Sequence, residues 1–501
     1  MININSIHIL ITVISVFGLL GIIVVLRGLK EIITDNKSLN KNKNNENKKR
    51  RNEFNLRTGI FFSCIVLISI VMVIISVSLH MMGSFNGNLF FPLLFAFLVS
   101  CIGAWFLSSV LMININNTLR QMNMGLDEAA LAASELSIAK ELQKKFIPLD
   151  FDSEGRKLNY SSGKTGHLDV FAYYEGARGM SGDYFDYRDL DGRYIALIKC
   201  DVSGKGIPAA LIMIQVATMF KNHFMEWKPD TKGMAINLLV MQINSLIEPL
   251  AFGNRFAALT ICILDSHTGI LRLCSAGDRV IHIFDASMNG FRNIVLSESP
   301  AAGILPAPMI EESGGYRVNT LNLKPNDILL LYTDGIEESK RKFRNEKFRI
   351  TICRDSIKDT EHGNHLAGQA DEEMGQERVE GIINAVMKKE IFTLHKWHNP
   401  EGEENNLEFD FTNCKGEVED VIMALVSVEK MFRSYKMPDT EDESRVQVDR
   451  KIDAFLRKHF RQYNHYCSKT AETDNKLFLE YLHLNEDEMH DDLTILGIKI
   501  K

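Results

Sequence analysis

Three stretches without a charged side chain constrain this chain most: Ile7–Leu26, Gly59–Leu79 and Leu89–Ile113. As helices, each is about long enough to cross the hydrocarbon core of a bilayer. Pro92, Gly103 and a few small polar residues alone interrupt the third. Charge-free runs of this length are hard to place in a soluble core, so residues 1–113 are expected to form a membrane domain with three spans. A cleaved signal peptide fits poorly, because no Lys or Arg precedes Ile9 and no small-x-small site follows the first run. A basic loop runs from Arg27 to Arg57, whereas residues 1–6 and 80–88 lack Lys and Arg. Basic loops stay on the cytoplasmic side. The amino terminus is therefore expected outside and everything after Ile113 inside. The Asn- and Lys-rich tract Asn36–Asn52 suits the surface of anionic lipid.

After the third run the pattern becomes helical. Leu119, Met122, Leu126, Ala129, Ala133 and Leu136 alternate in steps of three and four, a short heptad seam. Beyond Leu136 the apolar stripe shifts to Ala139, Leu142 and Phe146, and Pro148 stops the helix. Residues 114–148 thus read as a coiled-coil-like linker, expected to pair two copies of the chain in a homodimer. A plain amphipathic connector is the competing reading.

From Leu168 the periodicity is that of strands: Leu168–Tyr174, Tyr194–Cys200, Ala258–Leu264, Ile270–Ser275, Val280–Phe284, Asp327–Tyr332 and Leu493–Ile500. Helical patterns fall at Ala209–Phe224 and Ala235–Leu250, then at Glu377–Lys389, Val418–Phe432 and Arg445–Phe460. Clustered strands broken by two helices predict an α+β layered domain with antiparallel sheets over residues 149–501. Residues 343–487 are polar and often acidic, and read as helices plus an insertion. Their histidines (His362 with His365, His395 with His398, His465 near Cys467) lack the second half of a metal site. Eight scattered cysteines without a CxxC pair indicate reduced thiols. A net charge of −7 over 501 residues shows no nucleic-acid footprint.

The chemistry lies in four acidic turns: Gly182-Asp183, Asp201, Asp334-Gly335 and Asp491-Asp492. Each stands where a strand has just ended or is about to begin. Asp-Gly alone is a common turn former. Gathered together, such carboxylates repel and raise one another's pKa, and a hard divalent cation with a preference for oxygen is the usual remedy. Other chemistries fail on spacing. Ser162-Gly-Lys-Thr165 ends like a phosphate-binding loop but has Leu158 where the motif needs glycine, and no GxSxG or HExxH occurs.

The residues also carry a resemblance. Glu135–Pro148 resembles the "ExxxAxx[IL]Qxx[LF][LI]P" lead-in of the bacterial SpoIIE/RsbU-type phosphatases, members of the metal-dependent PP2C-like (PPM) superfamily. Ser181-Gly-Asp-Tyr-Phe-Asp186 is similar to their "GGDxxD", and Asp201–Leu211 to "DVSGKGxxAAL". Phe256–Thr260 with Ser275-Ala-Gly277 resembles their central hairpin, Tyr332–Glu338 their "YTDGxxE", and Asp491–Ile495 their "DDxT". The resemblance implies a PP2C-like β-sandwich flanked by helices. It also implies two Mn²⁺ or Mg²⁺ ions held by Asp183, Asp201, Asp334 and Asp491. The backbone carbonyl of Val202 is a further ligand, and Asp492 the alternative to Asp491. In such enzymes a metal-activated water attacks the phosphomonoester. The implied protein is a multi-pass enzyme of the bacterial inner membrane with its catalytic domain in the cytoplasm. It would act on a phosphoserine or phosphothreonine protein such as a STAS-type anti-anti-sigma factor. The chain departs from the pattern at Ser181, for the first glycine, and at Asp278, where the family often has histidine. A catalytically weak membrane scaffold that binds phosphoproteins is the competing expectation, and it need not bind two cations.

Overall fold

The computed structural model describes residues 87–501 apart from 166, 178–179, 251–254, 345–348, parts of 351–369, 396–405, 437–444, 467–468, 474–475 and 481–483. The first two apolar runs, the Asn36–Asn52 tract and His362, His365, His398 and Cys467 lie outside the described residues. The third run lies in helix α1, Gly87–Lys144. Among the described residues no helix is long and apolar enough to cross a membrane.

Residues 130–501 pack as one unit, built on two antiparallel sheets. The first has the strand order β3 (Tyr184–Leu190), β4 (Tyr194–Val202), β5 (Ala257–Asp265), β6 (Ile270–Ala276), β9 (Val318–Asn322). The second runs β1 (Tyr160–Thr165), β2 (Leu168–Glu175), β11 (Leu493–Ile500), β10 (Ile328–Tyr332), β7 (Val280–Asp285), β8 (Gly290–Val295). Side chains alternate across each strand. Leu329, Leu331, Leu496 and Ile498 therefore join the core between the sheets, while Ile328, Leu330 and Ile495 face a second core behind the six-stranded sheet.

Helices close both outer faces. Helix α2 (Ile207–Met225) lies on β4 and α3 (Ile236–Ile247) on β5 and β6. Buried Ile212, Val216 and Phe220 of α2 recur in steps of four, one stripe of a helix. Behind the second sheet lie α4 (Gly375–Lys388) and α5 (Val418–Arg433), with α6 (Arg450–His459) against α5. Two sheets between two helical layers give the α+β sandwich expected from the strand pattern, and residues 343–487 supply its outer helical layer.

Three details correct the sequence reading. The connector helix starts at Gly87, far before Asn114, and ends at Lys144, four residues short of Pro148. Of its shifted stripe, Phe146 packs against the core, whereas Leu142 is 51% exposed and the neighbouring Gln143 is buried instead. The Arg445–Phe460 pattern is split, with a strand at Arg445–Val448 and then α6. The Asp449 side chain accepts the Ile452 N–H at 2.8 Å and caps that helix. Finally, β1, β3, β8 and β9 were not visible in the apolar pattern.

Candidate active site

The ends of β4 and β10 and the starts of β3 and β11 meet at one edge of the sandwich. Each carries one of the acidic turns. Tyr184 pairs with Cys200 and Asp201 with Ala258, which sets Asp183 and Asp201 at adjoining strand ends. Asp183 is buried, and the Thr333 hydroxyl of the other sheet donates to its Oδ2 at 2.8 Å. Thr333 Oγ1 in turn accepts the Thr494 N–H at 3.2 Å, so one hydroxyl ties the Asp183, Asp334 and Asp491 segments together. Asp334 is exposed at the mouth. Asp491 pairs with Lys205 Nζ at 3.2 Å, and Lys205 also donates to the His490 carbonyl.

Asp492 is buried and occupied differently. Its Oδ1 accepts the Ala177 N–H at 2.8 Å and its Oδ2 the Gly182 N–H at 3.2 Å. It clamps the turn that presents Asp183. Close backbone approach makes that turn possible: a Cβ on Gly182 would lie 2.6 Å from the Val202 carbonyl oxygen. Val202 O thus faces the Asp183 turn. A Cβ on Gly335 would overlap the Asp492 carbonyl, so a side chain there would push the two loops apart.

The electrostatics follow from crowding. Burial pushes the Asp183 carboxyl well above the ordinary range, and the charges of Asp201 and Asp492 push it further. Burial and then Asp334 raise Asp201 to about 7, against the pull of Lys199. Partial desolvation at the mouth and the charge of Asp491 raise Asp334, and burial raises Asp492. Among the described residues, no three Asp, Glu, His or Cys side chains stand close enough to hold a metal ion as they are. The donor set nevertheless fits a hard cation. It is all oxygen, it includes buried carboxylates that raise one another's pKa, and it lies beside a main-chain carbonyl.

Two site features were missed in the sequence. Lys199 lies buried beneath Asp201 and bonds Asp278 Oδ1 at 2.7 Å. A lysine inside an apolar strand is the signal that should have prompted a search for its partner. The second is Gln143, near the end of α1. Its Oε1 accepts the Ser181 N–H at 3.1 Å and its amide nitrogen donates to the Ser181 carbonyl, so it grips the backbone two residues from Asp183.

Residues 191–384 match the family described as Stage II sporulation protein E. That stretch is a SpoIIE-type phosphatase domain. The match includes Asp201 and Asp334, whereas Asp183 and Asp491 flank it in sequence and join it in space. Among curated proteins, the chain is 24% identical to Protein IcfG of Synechocystis sp. over 228 residues, 41% of this chain and 33% of that one. It is also 24% identical to phosphoserine phosphatase RsbU of Bacillus subtilis over 263 residues, 52% of this chain and 67% of RsbU. The match therefore spans about a third of IcfG and two thirds of RsbU. Among solved structures, the SiaA-PP2C domain of Pseudomonas aeruginosa aligns with a TM-score of 0.41 and 12% identity, over 74% of this chain and 98% of that one.

Proposed function

We propose that this chain is a membrane-anchored, divalent-cation-dependent phosphoprotein phosphatase acting on phosphoserine or phosphothreonine. The observation that carries the reading is the convergence of four acidic turns, distant in sequence, at one edge of the sandwich. Asp183, Asp201, Asp334 and Asp491, with the Val202 carbonyl, would hold Mn²⁺ or Mg²⁺. When bound, such ions offset charge on phosphoryl oxygens and lower the pKa of water. The chain's own residues do the rest. Asp492 and Gln143 fix the Asp183 turn from two sides. Thr333 keeps the two sheets in register at the site. Lys205, close to Asp491, stands where it can meet a phosphate once a cation takes over that carboxylate.

The catalytic domain would face the cytoplasm of a bacterial inner membrane, on the far side of three spans. The linker would pair two chains. Support for that pairing is that Met122 and Leu126 of the heptad seam are each more than half exposed on α1. A phosphorylated STAS-type anti-anti-sigma protein is the substrate class we favour, by analogy with the phosphoserine phosphatase relatives. The test uses the full chain in detergent micelles with a phosphoserine protein and Mn²⁺. Wild type should release phosphate, chelation should stop it, and Asp201→Asn should reduce the rate at least about a hundredfold. Absence of turnover by wild type across Mn²⁺, Mg²⁺ and several phosphoproteins would leave the scaffold reading in its place.

A further inference from the structure

Beneath the acid cluster lies a buried polar row that none of the site chemistry above uses. Lys199 of β4 pairs with Thr260 of β5, and Thr260 with Ser275 of β6. The three side chains thus share one face of the sheet, and it is the face of Asp201, two residues along the strand from Lys199. All three are buried. Asp278 closes the row. Its Oδ1 accepts from Lys199 Nζ at 2.7 Å and its Oδ2 from the Thr260 hydroxyl at 2.6 Å. Its carbonyl accepts from the Ser275 hydroxyl at 2.9 Å. Both carboxylate oxygens are therefore committed, and the ammonium is held in one place.

A buried ion pair is costly to assemble and gives little net stability compared with apolar residues of the same volume. Its orientation here is telling. Lys199 stands two residues before Asp201 on the same face of β4, so its ammonium adds a positive charge beside that carboxylate. The bonds to Asp278 hold that ammonium in place. Without Lys199, the Asp278 carboxylate would be released beside a cluster that already holds too much negative charge.

We propose that Lys199 is a positioning residue that sets the cation affinity of the acid cluster, presenting one positive charge to Asp201 and Asp334 and holding the Asp278 carboxylate away from an incoming ion. This rests on the divalent-cation reading of the site. The consequence is a pair of opposite effects. Removing the ammonium should tighten cation binding, whereas removing its carboxylate partner should weaken it.

The experiment is calorimetric titration of the full chain in detergent micelles with MnCl₂, with a melting curve of each metal-free variant. Lys199→Met should bind Mn²⁺ about tenfold more tightly than wild type, and Asp278→Asn about fivefold more weakly. The double variant should return to within about threefold of wild type, because the two charges leave together. Lys199→Arg keeps the charge and should stay within about threefold, which decides the matter if the Met variant does not fold. Single variants that shift affinity in the same direction, or an Arg variant that binds tenfold more tightly, would overturn the proposal. If wild type itself takes up no Mn²⁺, the divalent-cation reading falls and this inference falls with it.

Discussion

At the scale of the residue, Asp201 is where burial and charge compete most openly. Its carboxyl is raised from 3.8 to about 7, so the folded, metal-free chain holds that proton more tightly than the unfolded chain does. Its contribution to stability is complete below about pH 4 and is lost as pH rises through about 7. Metal-free protein should therefore melt at a lower temperature at pH 8 than at pH 5, in part through this group. Asp201→Asn should flatten that slope, and saturating Mn²⁺ should oppose it, because cation uptake expels the same proton. A melting series over pH with and without Mn²⁺ checks this. An Asn variant with the wild-type slope would assign the pH dependence elsewhere. The four acids were visible in the sequence because each sits in a short motif beside a strand. Lys199 with Asp278 was not, because the partners are 79 positions apart and meet only through strand register.

At the scale of the element, what was legible depended on position in the sheet. The interior strands β2, β4, β5, β6, β7, β10 and β11 bury both faces or pair on both sides, and their apolar runs stand out. Within the two main sheets, the four strands that escaped notice, β1, β3, β8 and β9, are the edges. An edge strand pairs on one side only and carries polar residues outward, as in Tyr184-Phe-Asp-Tyr-Arg-Asp-Leu190. Helix α1 shows the same limit. Heptad reasoning follows apolar side chains, yet the residue of this helix that touches the site is a buried polar one. Gln143→Ala would remove both hydrogen bonds to the Ser181 backbone. The expected cost is about 1–3 kcal/mol of stability. Phosphatase activity should fall about a hundredfold, since small displacements of a site group are expensive. Unchanged kcat and KM in this variant would reduce α1 to a tether.

At the scale of the whole molecule, the sequence sets three charge-free runs within its first 113 residues apart from a mixed α+β body. If the three runs are spans, the full chain should sediment with membranes and resist extraction by alkaline carbonate, and only detergent should release it. Release by carbonate alone would refute the anchoring. The body owes its second outer layer to residues 343–487, whose polar composition reads as an insertion. Their helices nevertheless bury apolar stripes, such as Val421, Ile422, Leu425 and Val428 of α5. The helical spacing of these stripes made α4 and α5 legible in the sequence, although the acids and lysines around them lower the average hydropathy.

The position of β11 gives the molecule a timetable. This strand fills a slot between β2 and β10 and is hydrogen-bonded on both sides, and the turn just before it brings Asp491 and Asp492. Until the ribosome has passed residue 500, the six-stranded sheet has a gap at its centre and the Asp183 turn lacks its clamp. A chain in which this strand has yet to emerge would have two open strand edges to protect. The acidic turns therefore come together only once this strand is seated between its two neighbours.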